Sequence, residues 1–244
     1  MDKDINDVTE VFRSVRDHDY NELRNDIGGL LARVRAMSDA VDDVRELEDE
    51  IQEVEWALLP QGDEEHMMRE DLLIDILKIV DDGYLSSAWA LRETLESLII
   101  DHAPESDSSE SLYEQYKDDS QTVIGLRIYS HHGNRLPVRI IDDGFGGNIG
   151  SGDGVRRKIG VLVDDVREKK GEKYRQSPDQ FYEHLELNFI HLPELMRNHF
   201  EMAEVLVNEF VEVVLQENSE TVQDYQSVGA ELKSLLDSGA HNRY

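Results

Sequence analysis

The sequence predicts a mainly α-helical fold, with an N-terminal helical hairpin or bundle that contains one long heptad helix, a small β-hairpin insertion, and a C-terminal region of long helices. The first observation behind this prediction is a heptad repeat of apolar residues over 20–58, regular as far as Val44. The second is another seam at heptad spacing over 200–214. A narrow apolar seam needs another helix to cover it, so both stretches predict helix–helix packing.

The first hundred residues predict four helices in succession. A short amphipathic helix over 4–18 precedes the heptad helix, in which a break or bend is expected at Gly28 and Gly29, since each glycine costs about 1 kcal/mol relative to alanine. Dense apolar residues predict a well-buried helix over 64–80, and three/four spacing predicts another over 85–102. Short connections favour antiparallel neighbours, so a bundle is expected.

Composition divides the chain into four regions. Residues 104–111 are polar and acidic, which is typical of a linker, and a short helix is expected at 111–118. The predicted regions are a helical bundle at 1–103, an acidic linker at 104–120, a β-hairpin with a glycine-rich loop at 121–154, and a C-terminal helical region at 155–244.

The β-hairpin is predicted by two stretches rich in β-branched and aromatic residues, 122–130 and 136–141, with a turn at 131–134. Pro137 places the second strand at a sheet edge, because proline cannot donate a ladder hydrogen bond. Two strands alone are marginal in water, so the hairpin is expected to pack on the helices or to pair with another sheet.

The last third of the chain predicts helices only. Ser177, which precedes a proline, is typical of a helix start, and Pro193 restarts or kinks that helix. The expected helices lie over 155–166, after residue 177, over 200–214 and over 221–236.

The composition is strongly acidic, with 54 Asp and Glu against 25 Lys and Arg and a net charge of −29. Carboxylates spread along nearly the whole chain, with scarce lysine, are typical of proteins from salt-accumulating halophiles, of cellular or viral origin, where they keep the surface hydrated. The charge argues against direct nucleic-acid binding, which draws on clustered Lys and Arg.

Three features that the sequence lacks narrow the possible classes of protein further. The chain has no cysteine, which excludes disulfides, thiolate ligands and a cysteine nucleophile. No apolar run approaches the roughly 18 residues of a membrane helix, and the N-terminus lacks a leader pattern. We therefore expect no membrane partner, and a cytoplasmic location or incorporation into an assembly built in the cytoplasm.

The sharpest local feature is a glycine-rich loop before a basic cluster that begins at Arg156. A strand, a glycine loop and a helix can present backbone N–H groups and a positive helix end to phosphate. The loop has neither the GxxxxGK[ST] nor the GxGxxG pattern, and a plain connector is the alternative interpretation. Its glycines are Gly144, Gly146, Gly147, Gly150, Gly152 and Gly154.

Three short motifs lie in order between residues 91 and 160: LESLIIDHA at 95–103, DDGFG at 142–146 and GSGDG at 150–154. They resemble the boxes that line the nucleotide site of GHKL ATPases, the family that includes histidine kinases. The resemblance implies that Asp142 contacts adenine, and that Gly144, Gly146, Gly150, Gly152 and Gly154 line the phosphates. Asp101 stands where that family has its metal-binding Asn.

Histidine and carboxylate side chains are candidate metal ligands. The chain has no HExxH motif, and Asp142, Asp143, Asn148 and Asp153 offer oxygen ligands without an EF-hand pattern. A polar helical stripe is expected at His184, Asn188, His191, Glu194 and Asn198. We predict that this stripe is a polar surface or hydrogen-bonded seam, and we expect no metal site.

These observations favour a non-enzymatic structural or interaction protein that associates through its helix seams, with itself as a homo-oligomer or with a protein partner. It needs no catalytic residue and no cofactor. The acidic flanks of the 20–58 seam oppose pairing of identical helices, so a partner within the chain is expected there. The 200–214 seam and the hairpin edge are then the expected contacts between copies. The alternative is a nucleotide-binding signalling protein with a degenerate GHKL-like ATP site, which requires ATP binding that depends on Asp142.

Overall fold

The structure is a computed structural model that describes residues 2–53, 63–131, 135–142, 157–168 and 188–241. The fold is mainly α with a small antiparallel sheet of three strands, as the sequence predicts in class. In chain order its elements are α1 (Asp2–Arg16), α2 (Tyr20–Glu53), α3 (Asp63–Leu77), a π-helix (Lys78–Leu85), α4 (Ser86–His102), α5 (Asp107–Asp119), α6 (Gln121–His131), β1 (Val138–Asp142), β2 (Arg157–Leu162), α7 (Val163–Glu168), β3 (Phe189–His191), α8 (Leu192–Glu217) and α9 (Ser219–His241).

The predicted heptad helix is confirmed as α2, which continues through Gly28 and Gly29 without a break. Its seam residues are at most 9% exposed: Leu30, Val34, Met37, Val41 and Val44. Burying a side chain of this size contributes roughly 1.5–3 kcal/mol. A single copy of the chain therefore covers this seam, and the end of the predicted repeat, beyond Glu53, lies outside the described residues.

The first predicted strand, at residues 122–130, is wrong, because these residues form α6. Every residue from Thr122 to Leu126 is buried, so the stretch is apolar on all sides and lacks a helical period. Such a run fits a buried helix as well as a strand. α6 packs against the π-helix, where Asp81 binds the side chains of Arg127 at 3.1 Å and Ser130 at 2.7 Å.

The second predicted strand is confirmed as β1, but its partner comes from a stretch predicted to be helical. β2 lies between β1 and β3 and is antiparallel to both, with Val161 opposite Val138 and Gly160 opposite His191. A β-carbon at Gly160 would overlap the ring of Phe189. This close packing of β3 on β2 overrides the helical spacing of the apolar residues in the segment.

Residues 107–119 of the predicted linker form α5. Its N-terminus is capped by Ser106, whose Oγ accepts the backbone N–H of Ser109 at 3.3 Å. Tyr113 and Tyr116 on this helix are buried. The division of the chain into four domain-like regions stays a prediction.

The predicted polar stripe around residue 191 is not formed. Asn188 lies at a bend, His191 ends β3, and Glu194 and Asn198 lie on α8, while His184 is outside the described residues. The break in the expected helix falls just before Pro193, which occupies the first turn of α8, where its missing N–H is tolerated.

The seam over 200–214 is confirmed as helical, and the expectation that it contacts another copy stays a prediction. Ala203, Val207, Phe210 and Val214 on α8 are at most 1% exposed within a single chain. Phe200, at the start of the seam, is half-buried.

The chain forms two compact units. The first comprises Met1–Leu31, Thr94–Tyr113 and Val207–Tyr244, and the second comprises Ala32–Glu93 and Glu114–Leu206. The first unit contains the packed pair α1 and α9, and the second contains the sheet and the π-helix.

Candidate functional site

The structure describes little of the predicted nucleotide site. Asp142 ends β1, and Gly144, Gly146, Gly150, Gly152 and Gly154 lie outside the described residues. The next described element is β2, which pairs antiparallel with β1, so the loop leads from one strand to its neighbour. The predicted order of strand, glycine loop and helix is therefore wrong, and the first element described after the loop is not a helix N-terminus that could receive phosphate.

The segment that resembles the first GHKL box has a packing role. Leu95 and Leu98 on α4 are buried, whereas Asp101 is exposed. His102 Nε2 lies 2.9 Å from Asp26 Oδ2, and its carbonyl accepts the side chain of Asn218 at 2.9 Å. In the first unit these bonds tie the end of α4 to α2 and to the turn before α9.

The most enclosed group of polar side chains lies inside the second unit, and the sequence analysis did not predict it. His199 on α8 contacts Tyr84 of the π-helix through Nδ1, at 2.8 Å from the phenol oxygen, and Ser120 through Nε2, at 2.9 Å from Oγ. Tyr84 and Ser120 are fully buried, and His199 is 4% exposed. Tyr116, also fully buried, lies with its ring 5.8 Å from that of His199 and donates to the carbonyl of Ala88 at 3.0 Å.

The hydrogen bonds of this cluster fix the direction of each donor. The Tyr84 hydroxyl donates to the carbonyl of Met196 at 2.6 Å, so its oxygen accepts from His199 Nδ1–H. His199 Nε2 then accepts from the Ser120 hydroxyl. The chain of donors runs from Ser120 through His199 and Tyr84 to Met196, and it specifies a neutral imidazole.

Burial keeps the cluster uncharged. It lowers the pKa of His199 to about 3 and raises the pKa of the Tyr84 phenol well above its usual value. A serine hydroxyl bonded to an imidazole is the pair that nucleophilic catalysis uses, but here both groups are enclosed and the third group is a phenol that is itself donating. Each polar group of the cluster has a hydrogen-bond partner, and the cluster fixes α8 against the π-helix. A buried polar group of this kind favours one specific packing of the two helices.

A second polar cluster closes one edge of the sheet. β3 pairs only with residues 160–162 of β2, and side chains of α2 bind the part of β2 that β3 leaves open. Gln52 accepts the N–H of Arg157 at 2.8 Å and donates to the same residue's carbonyl. Glu48 Oε1 accepts the N–H of Ile159 at 2.8 Å. One helix thus supplies hydrogen bonds that a longer β3 would otherwise make.

Glu48 also links this edge to His191, whose Nε2 lies 2.9 Å from the same carboxylate oxygen. The hydrogen bond to Glu48 is the main reason that the pKa of His191 is raised, and partial burial opposes it. A weaker contact joins His191 Nδ1 to Glu194 at 3.4 Å. Two carboxylates contact one imidazole here, and the raised pKa favours its protonated form, in which the contact with Glu48 becomes an ion pair that links β3 to α2.

The surface of the first unit contains an incompletely covered pair of helices. α1 and α9 pack together, and His18, just after α1, contacts Asp224 and the ring of Tyr225. Between residues 219 and 237 no side chain of α9 is buried, and none is buried between residues 8 and 16 of α1. The apolar residues of α9 within that range are Val222, Tyr225, Val228, Ala230, Leu232, Leu235 and Leu236.

An open groove of about 550 Å³ lies between α5 and α8 in the first unit. The carboxylates of Asp107, Glu209 and Glu212 line it together with Ser108 and Ser111. Leu112 and Val213 contribute apolar side chains to the same groove.

The described segments contain no cluster of three or more potential metal-ligating side chains and no helix that is long and apolar enough to cross a membrane. The whole chain matches no protein family, no curated protein and no solved structure. The class of this protein must therefore be inferred from its own surfaces.

Proposed function

We propose that this chain is a non-enzymatic interaction protein that assembles with a protein partner through the exposed apolar surface of α1 and α9. The observation that carries the proposal is the incomplete burial of α9: of its six large apolar residues between positions 219 and 237, five are half-buried and Leu236 is 55% exposed. An amphipathic helix in a folded unit ordinarily buries its apolar stripe, so a helix of this length that does not is typical of an interface.

The interior chemistry supports the same conclusion. The serine, histidine and tyrosines of the second unit are enclosed, neutral and bonded to one another, so they have no access to a substrate. Glu48, which His191 contacts, binds backbone of the sheet. In the enclosed cluster each polar group is bonded to another or to backbone, and in the sheet cluster Glu48 is bonded both to His191 and to backbone.

The acidic surface supports assembly in concentrated salt. With a net charge of −29, long-range repulsion between copies or with acidic partners is strong at low ionic strength. At molar salt the Debye length falls to about 3 Å, and apolar contacts then decide association. We therefore propose that this protein works in a salt-rich medium.

Photo-crosslinking tests the proposed function. A photoreactive phenylalanine analogue at position 12 or 236 of the full chain, in cells of its source, should yield adducts of higher mass, because both side chains are 55% exposed on this surface. Ile74, which is 40% exposed in the second unit, is the matched control position. Equal adduct yields at positions 12, 236 and 74 would contradict the proposal.

A further inference from the structure

α1 and α9 pack together, and one contact indicates that they run antiparallel. His18, just after α1, contacts Asp224 and Tyr225 near the start of α9, with ring centroids of His18 and Tyr225 5.3 Å apart. From that level, the apolar residues of the two helices match in mirrored steps of three and four. This register predicts that Val15 faces Val228, Val11 faces Leu232 and Val8 faces Leu235, and all six residues are half-buried.

The residue after each of these seam positions is turned by about 100° around its helix. Because the helices are antiparallel, these residues project to the same side of the pair, which we call the outer face. Two of them, Phe12 and Leu236, are each 55% exposed. A third, Gly229, would meet no atom within 4 Å if it carried a β-carbon. The outer face comprises Thr9, Phe12, Arg16, Gly229, Lys233 and Leu236.

The outer face differs from the rest of this acidic chain in charge. None of its six positions is Asp or Glu, and two are basic, although Arg16 binds Asp17 at 2.6 Å. The acidic residues Glu10 and Glu231 precede their seam positions and so lie on the opposite side of the pair. For a chain of net charge −29, this face is where two copies can approach with little repulsion between carboxylates.

We infer that the outer face binds a second copy of this chain, with the two α9 helices antiparallel across a two-fold axis near Gly229. This inference rests on the proposed function and names its partner. The apolar residues lie symmetrically about the glycine, with Val222 seven residues before it and Leu236 seven residues after it. With the axis at this level, Gly229 of one copy faces Gly229 of the other, where the missing side chains let the helices approach closely, and Val222 of one copy faces Leu236 of the other.

Solution mass tests the dimer directly. Light scattering of the full chain in multimolar KCl should give twice the 28.0 kDa chain mass. Leu236→Asp should raise the dissociation constant at least ~100-fold, because the two-fold axis places one unpaired charge in each of two symmetric apolar contacts with Val222 of the other copy. Ile100→Asp, at a residue of the same unit that is 65% exposed, should leave the mass and the melting temperature unchanged.

Engineered cysteines test the orientation, since the chain has none of its own. Gly229→Cys lies near the axis and should form a disulfide between copies on mild oxidation. Leu236→Cys should not, because antiparallel copies would hold these residues roughly 20 Å apart, beyond the reach of a disulfide. Disulfides at both positions would indicate parallel helices and overturn the arrangement.

The outcomes separate this inference from the proposed function. A wild-type chain that stays monomeric at all micromolar concentrations overturns the inference, as does a dimer that survives Leu236→Asp. If Leu236→Asp itself unfolds, Gly229→Leu takes its place, since the space at this glycine is open within one chain, and an undisturbed dimer would then overturn the inference. Photo-adducts at position 236 with a different protein would overturn the second copy as partner while supporting the proposed function.

Discussion

Acidification from pH 7 to pH 5 should weaken the fold by about 2 kcal/mol through His199 alone. Its pKa is about 3 in the folded chain, against 6.5 for an ordinary histidine, because burial excludes the charged form. Below pH 6.5 the unfolded chain binds a proton at this residue that the folded chain does not bind until near pH 3. The free energy of unfolding therefore decreases as the pH is lowered from 6.5 towards 3, with a slope that approaches about 1.4 kcal/mol per pH unit.

Comparison of the wild type with His199→Gln isolates this effect. Glutamine keeps a donor and an acceptor but does not titrate. The carboxylates and His191 therefore contribute equally to the pH dependence of stability in both proteins. The assay is urea unfolding followed by circular dichroism in constant multimolar KCl. The stability advantage of the wild type should shrink by about 2 kcal/mol between pH 7 and pH 5. Parallel pH profiles would refute the reasoning, as would an NMR resonance of His199 that titrates near pH 6.5 in the folded wild type.

Three other predictions concern the sheet, the helices and salt. Gly160→Ala should lower the free energy of unfolding by about 1–3 kcal/mol, because its methyl group would overlap the ring of Phe189. Gly28→Ala, in open space on α2, should raise the free energy of unfolding by up to about 1 kcal/mol. Equal effects of the two substitutions in chemical unfolding would contradict this account. Glu48→Gln should lower the pKa of His191 measured by NMR, and should remove the part of the stability that in the wild type is present below pH 6.5 and lost as pH rises through the raised pKa. The melting temperature should rise between 0.1 M and multimolar KCl, and a constant value would remove the inference of a halophilic source.

The elements predicted well are those whose pattern is local and periodic. The seam of α2 repeats at heptad spacing for more than three turns, and no other regular structure buries that pattern. β1 follows a proline and alternates over a short run, and the last helix is amphipathic from residue 221 onward. In each case the residues close in sequence are enough to predict the helix or strand.

The elements predicted wrongly depend on contacts that are distant in sequence. Residues of α6 such as Val123 and Ile124 favour strands by their branching, yet they are buried on a helix that packs on the π-helix. β2 is a strand because Phe189 packs on Gly160, which no local pattern indicates. One missed signal was local: Ser106 three residues before Ser109 predicts the cap that begins α5.

The buried cluster could not be found from the sequence. Tyr84, Ser120 and His199 are separated by 36 and 79 positions along the chain, and nothing in their local surroundings links them. The exposed surface of α1 and α9 was also missed, because a heptad pattern does not say whether its seam is already covered. For the same reason the sequence alone predicts that the 200–214 seam contacts another copy, whereas the structure buries most of its side chains within one chain.

The short β3 has a consequence for how this protein avoids amyloid-like growth. A sheet with unsatisfied backbone groups is a template on which a strand from another molecule can add. Gln52 occupies the N–H and carbonyl of Arg157, and Glu48 occupies the N–H of Ile159, so no incoming strand can pair there without displacing them. A carboxylate at this position also repels the acidic segments of other copies. α2 therefore closes this part of β2 to strand addition, whereas a longer β3 would cover it only by extending the open outer edge of β3 itself.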